Sequence, residues 1–171
     1  MALLHTPPLA APVQAPDFSL SDPVGRVWTL ADCRGAQGTI VMFICNHCPY
    51  VQRVADSLAA DCAALAPLGV GTVAIMPNDF AAYPEDAPDK MAAFAEQHGF
   101  AFPYLVDAGQ EVARAYGAVC TPDFFGLDAG GRIVWRGNAA ELRSAMEHLA
   151  TTGTAPEQQT PSMGCSIKWK A

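Results

Sequence analysis

FICNHCPYVQ, Phe43 to Gln52, sets two cysteines three positions apart, with a histidine between them and a proline directly after the second. Taken alone, these letters admit a redox couple, half of a metal site, or two core thiols that happen to be close. The flanking sequence decides. Before the pair, Gly38 to Ile44 reads GTIVMFI, a continuous β-rich apolar run of the kind that forms a strand buried on both faces. After it the period changes: Val51, Val54, Leu58, Cys62 and Leu65 fall on one face of a helix. Gly69-Val70-Gly71 closes that unit, and Thr72 to Met76 reads as a second central strand. Strand, helix and strand make a βαβ unit whose helix opens at the cysteine pair.

Toward the N-terminus, Pro16 to Leu30 (PDFSLSDPVGRVWTL) holds two short alternating runs around Asp22-Pro23-Val24-Gly25. Proline presets such a turn and glycine supplies the positive φ, so the segment predicts an N-terminal β-hairpin. Residues 1–14 precede it as an arm, and Cys33 in the polar connector ADCRGAQG reads as a loop residue. Toward the C-terminus, Pro77 to Lys90 (PNDFAAYPEDAPDK) is a Pro- and Asp-rich inserted loop. It leads into a helix with Met91, Phe94, Ala95 and His98 on its apolar stripe. His98, at the end of that stripe, reads as a packed or capping residue, and Cys62 as a small buried hydrophobe.

Phe102 to Val106 predicts a short strand, and Gln110 to Tyr116 a short helix carrying Val112 and Tyr116 inward. Two β-runs, Phe124 to Leu127 and Arg132 to Trp135, joined by Asp128-Ala129-Gly130-Gly131, predict an antiparallel hairpin. Leu142, Ala145, Met146 and Leu149 mark the last helix. Residues 151–171 are a tail, loop-like as far as GCSIKWK, expected to pack on the domain.

The chain of 171 residues fits one domain, residues 1–171, and is long enough to bury a real core. With 51% hydrophobic and 16% charged residues it has the balance of a folded soluble protein. A net charge of -7 without any basic run argues against a grip on nucleic acid or an anionic membrane surface. The N-terminal MALLHTPPLAAPVQAP has no positive n-region, and Pro7 and Pro8 interrupt its apolar run, so a cytoplasmic location is the expectation. Six cysteines in a reducing compartment point to catalysis, metal binding or ordinary burial rather than a disulfide framework.

The chemistry of CNHC follows from its place. With a helix starting at or just after Cys45, unpaired N–H groups and the positive dipole end favour the Cys45 thiolate at an exposed helix tip. Cys48, one turn on, lies on the same side; Pro49 falls in the first turn, where a missing N–H does no harm. His47 adds a proton acceptor. Cys45 is therefore expected to titrate well below the free-thiol value of about 8.5. Structural zinc needs four ligands, usually from a second close pair, and the chain has no second CxxC and no HxxxH. Haem attachment would need His where Pro49 stands.

The order of elements, the cysteine pair at the first strand-to-helix junction and Thr121-Pro122 before the late hairpin resemble a thioredoxin-fold protein of the AhpC/TSA, peroxiredoxin-like branch. The likeness runs from Ala15-Pro16-Asp17-Phe18 through Leu149. More narrowly, CNHCPYV and the terminal GCSIKWK resemble a group of redoxin-domain proteins. The resemblance implies an α/β fold with a central mixed sheet flanked by helices; no cofactor and no bound metal are expected. It also implies that Pro122 is the cis-proline facing the active cysteines, with the Thr121 backbone turned toward an incoming extended peptide or disulfide. Cys120 would then lie near the pair. Cys165, in the tail, is expected near Cys120 or the active site, with Trp169 anchoring the tail by burial.

Two departures limit the likeness. Peroxiredoxins place Pro and Thr seven and three residues before their peroxidatic cysteine, and counting back from Cys45 those positions hold Gly38 and Met42. Relatives with a carboxylate below the second cysteine would carry it near Thr39 or Val51, so the proton acceptor for Cys48 is unassigned. The resulting expectation is a thiol–disulfide oxidoreductase acting on protein or small-molecule disulfides and thiols. Cys45 attacks, Cys48 resolves, His47 tunes the thiolate, and Thr121 and Pro122 dock the substrate. A thiol peroxidase acting on peroxides is the alternative within the class. A soft-metal site, Cys45 and Cys48 helped by His47 or Cys120, is the alternative outside it.

Overall fold

In chain order the elements are β1 (Leu3–His5), β2 (Val13–Gln14), β3 (Ser19–Ser21), β4 (Val27–Thr29), α1 (Leu30–Cys33), β5 (Gly38–Phe43), α2 (Pro49–Leu65) and β6 (Val70–Met76). Then follow α3 (Pro88–His98), β7 (Tyr104–Val106), α4 (Glu111–Tyr116), β8 (Cys120–Thr121), β9 (Asp123–Leu127), β10 (Arg132–Gly137), α5 (Ala139–Thr152) and β11 (Met163–Ser166). This computed structural model describes residues 2–171, so the first residue of the expected arm lies outside the described residues.

Among the described residues the strands build an eight-stranded sheet, β2-β10-β9-β5-β6-β7-β3-β4, and a three-stranded one, β1-β11-β8. β5, β6 and β7 run parallel, while β9 lies antiparallel on the other side of β5, which makes the large sheet mixed. All six residues of β5 are buried, because alternate side chains enter two different cores. Ile40 and Met42 pack with Val51, Leu58 and Leu65 of α2 and with Leu142 and Met146 of α5. Val41 and Phe43 pack with Leu30, Leu105, Tyr116 and Phe125 on the opposite face. The Phe43 ring lies 5.6 Å from that of Tyr116 and 5.9 Å from that of Phe125.

Helix α2 buries Val51, Ala55, Leu58, Cys62 and Leu65 on one stripe, and Gly69 in the left-handed region follows the turn that ends it. Full burial of its larger apolar side chains contributes roughly 1.5–3 kcal/mol each. The hairpin β3–β4 closes around Asp22, with Gly25 at φ +91° and the Asp22 amide donating to the Arg26 carbonyl at 2.9 Å. One local expectation is corrected. Cys33 is not in a loop but ends the single turn α1, buried, in a helix opened by a capping box between Thr29 and Asp32. In α4, Ala113 and Tyr116 are buried, and Val112, half-buried, packs against the same core. No helix among the described residues is long and apolar enough to cross a membrane.

Both ends of the chain meet over the start of α2. β11 lies between β1 and β8, with Cys165 opposite Leu3 on one side and opposite Thr121 on the other. Gly164 makes this possible: a Cβ there would overlap the Thr121 carbonyl. Beyond β11, the tail is tied by its backbone. The Lys168 amide donates to Asn78 Oδ1 at 2.9 Å, and the Lys168 carbonyl accepts from the Asp79 amide at 2.8 Å. Gln110 Nε2 donates to the same carbonyl at 2.9 Å, and Gln110 Oε1 accepts from the Lys170 amide at 2.9 Å. Trp169, the expected buried anchor, is instead 37% exposed, with the Arg114 guanidinium 4.2 Å from its ring centroid.

Candidate active site

The loop from β5 to α2 is held from below by Asn46. Its amide donates to Asp86 Oδ1 at 2.8 Å, and its side chain donates to the Glu85 carbonyl at 3.0 Å. Its side-chain oxygen accepts from the Tyr104 hydroxyl at 2.8 Å, and its carbonyl accepts from Gln52 Nε2 at 3.0 Å. With these groups engaged, the loop carries its two cysteines in a defined place.

That place differs from the sequence expectation in two ways. First, α2 begins at Pro49, so Cys48, not Cys45, is its N-cap. Proline at the first helical position makes the residue before it the cap, and the free amide ends and the dipole act there. Second, the sulfurs are not exposed: Cys45 is 1% and Cys48 0% accessible, because β11 lies over them. All six cysteines are free thiols.

The contacts are close. Cys48 Sγ lies 3.3 Å from the Thr121 carbonyl oxygen and 3.1 Å from Cys165 Sγ, while Cys45 Sγ lies 3.4 Å from Thr121 Oγ1. The Thr121–Pro122 peptide is cis and adjoins both sulfurs. Hydrogen bonding from the Cys45 thiol, against the opposing effect of burial, holds Cys48 well below the usual thiol range, helped by the Cys165 thiol and the Val51 and Cys165 amides. The Thr121 carbonyl is the contact that opposes an anion there. Cys45 is correspondingly raised by its bond to Cys48, by burial and by the Asp86 charge. These directions run opposite to the low-titrating Cys45 expected from sequence.

A carboxylate does lie near the pair, but it comes from the inserted loop. Asp86, fully buried, has Oδ2 2.7 Å from His47 Nδ1 and 3.0 Å from Asn78 Nδ2. Burial pushes its carboxyl up, yet His47, Asn78 and the Asn46 amide together hold it below the usual range. His47 is raised by its bond to Asp86 despite burial, and its ring stacks on Tyr83 with centroids 5.9 Å apart. Neither position considered for a carboxylate takes part: Thr39 accepts from the Gly35 amide at 3.1 Å, and Val51 is core. No pattern in the sequence singles out Asp86 among the acids of that insertion.

Cys120 is on the strand beside Cys165, but its thiol donates to the Pro122 carbonyl at 3.6 Å and burial pushes it up to about 12. Cys33 and Cys62 belong to the cores. His98 packs on Phe94, with ring centroids 4.4 Å apart, and pairs with Asp56 at 2.7 Å. A ligand set for a metal exists in Cys45, His47 and Asp86, whose donor atoms lie within 4.8 Å of one another. Both Asp86 oxygens already have protein partners, however, and the set differs from the alternative read from sequence, Cys45 and Cys48 helped by His47 or Cys120. Counted from the cap Cys48, the positions seven and three residues earlier hold Val41 and Cys45, so the peroxiredoxin Pro and Thr are absent in this register too. An apolar groove of about 520 Å³ opens beside Pro122, lined by Tyr50, Val54, Ala139, Pro161 and Met163.

The model of the AhpC/TSA family matches residues 12–136. A crystal structure of an uncharacterized conserved protein from Geobacillus kaustophilus superposes with a TM-score of 0.93 at 42% identity, covering 99% of this chain and 97% of that one. A provisionally named peroxiredoxin, Rv2521, of Mycobacterium tuberculosis is 29% identical over 70% of this chain and 71% of its own length. The thiol-disulfide oxidoreductase ResA of Geobacillus thermodenitrificans is 31% identical over 70% of this chain and 64% of its own.

Proposed function

We propose that this chain, which belongs to the AhpC/TSA family, is a thiol–disulfide oxidoreductase whose redox couple is Cys45 and Cys48. One observation carries the reading: the Cys48 sulfur, at the cap of α2, and the Cys45 sulfur converge on Thr121 beside the cis Thr121–Pro122 peptide, at 3.3 Å from its carbonyl and 3.4 Å from its hydroxyl. Cys48 is the nucleophile. Its thiolate attacks one sulfur of a disulfide and expels the other as a thiolate, which takes up the proton that Cys45 gives. The Cys45 thiolate then attacks Cys48 Sγ, the second substrate sulfur departs as a thiolate, and Cys45–Cys48 closes. Two electrons pass from the two thiols to the substrate. The Cys45 proton has acceptors within 4.8 Å in the His47–Asp86 pair.

The sulfurs are covered, so the substrate reaches them only when β11 lifts from the Thr121 edge. An extended segment of the partner then takes that edge by strand addition. The partner class is a protein or small-molecule disulfide or thiol, and the location we assign is the cytoplasm. A stabilised thiolate stabilises the reduced form, which places the potential in the upper half of the roughly -270 to -120 mV spanned by related dithiols.

Equilibration of the purified protein against a glutathione redox buffer, read by thiol labelling, tests the reading. A two-electron transition assigned to Cys45 and Cys48 is expected; its absence at every ratio overturns the proposal. The rate with hydrogen peroxide, compared with that for a small disulfide, separates this activity from a peroxidase. Faster consumption of peroxide would reassign it.

A further inference from the structure

Three sulfurs meet at the start of α2. Cys48 Sγ stands 3.1 Å from Cys165 Sγ, an approach that needs only about one further ångström to reach the disulfide bond length of about 2.05 Å. Cys165 belongs to β11 and lies opposite Thr121, the residue before the cis-proline. That antiparallel seat is the one an extended disulfide partner needs. The tail therefore sits where a substrate strand would sit and presents a cysteine of its own to the nucleophile. The remaining buried cysteines lack this arrangement: Cys33 and Cys62 are core residues, and Cys120 is bonded to the Pro122 carbonyl.

We infer that Cys165 is a third redox-active thiol and that Cys48 exchanges partners between Cys45 and Cys165. The inference rests on the reading of Cys45 and Cys48 as a couple and adds a second destination for the same electrons. After Cys48 has formed a mixed disulfide with R–S–S–R′ and released R′S⁻, the Cys165 thiol gives its proton to that thiolate. The Cys165 thiolate attacks Cys48 Sγ, RS⁻ departs, and the Cys48–Cys165 bond closes. Two thiols have been oxidised and one external disulfide reduced. Starting instead from Cys45–Cys48, attack of Cys165 on Cys48 expels the Cys45 thiolate, which takes up the proton that Cys165 lost. That step is an isomerisation with no net change in oxidation state. The two products differ in consequence: Cys48–Cys165 staples β11 over Thr121, whereas Cys45–Cys48 leaves the tail strand free to lift.

Disulfide mapping of the full chain after oxidation by glutathione disulfide tests this. A Cys48–Cys165 bond joins residues 117 apart, so it speeds migration in a denaturing non-reducing gel, which a Cys45–Cys48 bond does not. It also links the tryptic peptide Gly35–Arg53 to Ser144–Lys168. In the wild type both disulfides are expected, in Cys45→Ser the fast-migrating form alone, and in Cys165→Ser its complete loss. If the wild type forms Cys45–Cys48 but the linked peptides never appear, in it or in Cys45→Ser, the role of Cys165 is overturned and the couple stands. If only the linked peptides appear, Cys165 stands and the Cys45–Cys48 couple falls. The wild-type map decides the matter even where a variant fails to fold.

Discussion

Asp86 Oδ2 lies 2.7 Å from His47 Nδ1, which joins the inserted loop after β6 to the loop that carries the cysteines. Residues 40 apart thereby share one buried polar network, since Asp86 also receives the Asn46 amide. The insertion is thus the floor of the site rather than a surface ornament.

Replacing Asp86 by Asn tests that floor and has a defined pH signature. The Asp86 carboxyl is held low, so the stability it contributes is present above the unfolded carboxylate value of about 3.9 and is lost as pH falls through its folded value. His47 is held high, so its contribution is complete below about 6.5 and is lost as pH rises through its folded value. Asp86→Asn should cost about 1–3 kcal/mol between those limits and flatten both arms. Thermal melts from pH 3 to pH 9 check this; unchanged arms in the variant would reject the linkage.

The identity of the anion is measurable by alkylation. Iodoacetamide labelling followed at Cys48 by peptide mass spectrometry should give a half-point well below the free-thiol value of about 8.5. Labelling of Cys45 should lag, and Cys45→Ala should raise the Cys48 half-point because the largest stabilising donor is gone. A half-point for Cys45 lower than that of Cys48 would restore the reverse order of attack.

Trapping follows from the same assignment. The double variant Cys45→Ser/Cys165→Ser removes both groups able to release a partner from Cys48, so it should accumulate mixed disulfides with glutathione. Cys48→Ser should accumulate none at that site. Equal trapping by Cys48→Ser, located on Cys45, would show that Cys48 is not the attacking sulfur.

Gly164 sets how closely the tail lies. Gly164→Ala places a methyl group against the Thr121 carbonyl, and overpacking of this kind costs typically about 1–3 kcal/mol. Much of that should go into lifting β11 rather than unfolding the domain, so Cys45 and Cys48 should label about tenfold faster or more. A lowered melting temperature with unchanged labelling would mean that the strand does not open independently.

Much of this architecture was legible from period and punctuation. GTIVMFI identifies the central strand because both its faces are buried, and Val51, Leu58, Cys62 and Leu65 identify α2 because only one face is. The helix start was also legible: Pro49 prefers the first helical position, which makes Cys48 the cap, but reading from the first cysteine hides this. Asp86 was not legible, because nothing local distinguishes it from Asp79 or Asp89; its role comes from the packing of the insertion under Asn46. Nor was the seat of Cys165, whose register depends on backbone contact at Gly164 rather than on any side-chain pattern. The single turn α1 was hidden in a polar segment where its Thr29–Asp32 capping box is short enough to pass for a loop.

Because β11 already occupies the Thr121 edge, the domain is its own first competitor. A tethered strand acts at an effective concentration on the order of millimolar, so a free peptide that offers backbone pairing alone must match that to displace it. Mere extended shape is then a poor credential for entry. What a visitor can bring that the resident lacks is an oxidised sulfur, and admission by chemistry rather than by fit would let one small site tolerate varied sequences while ignoring most of those it meets.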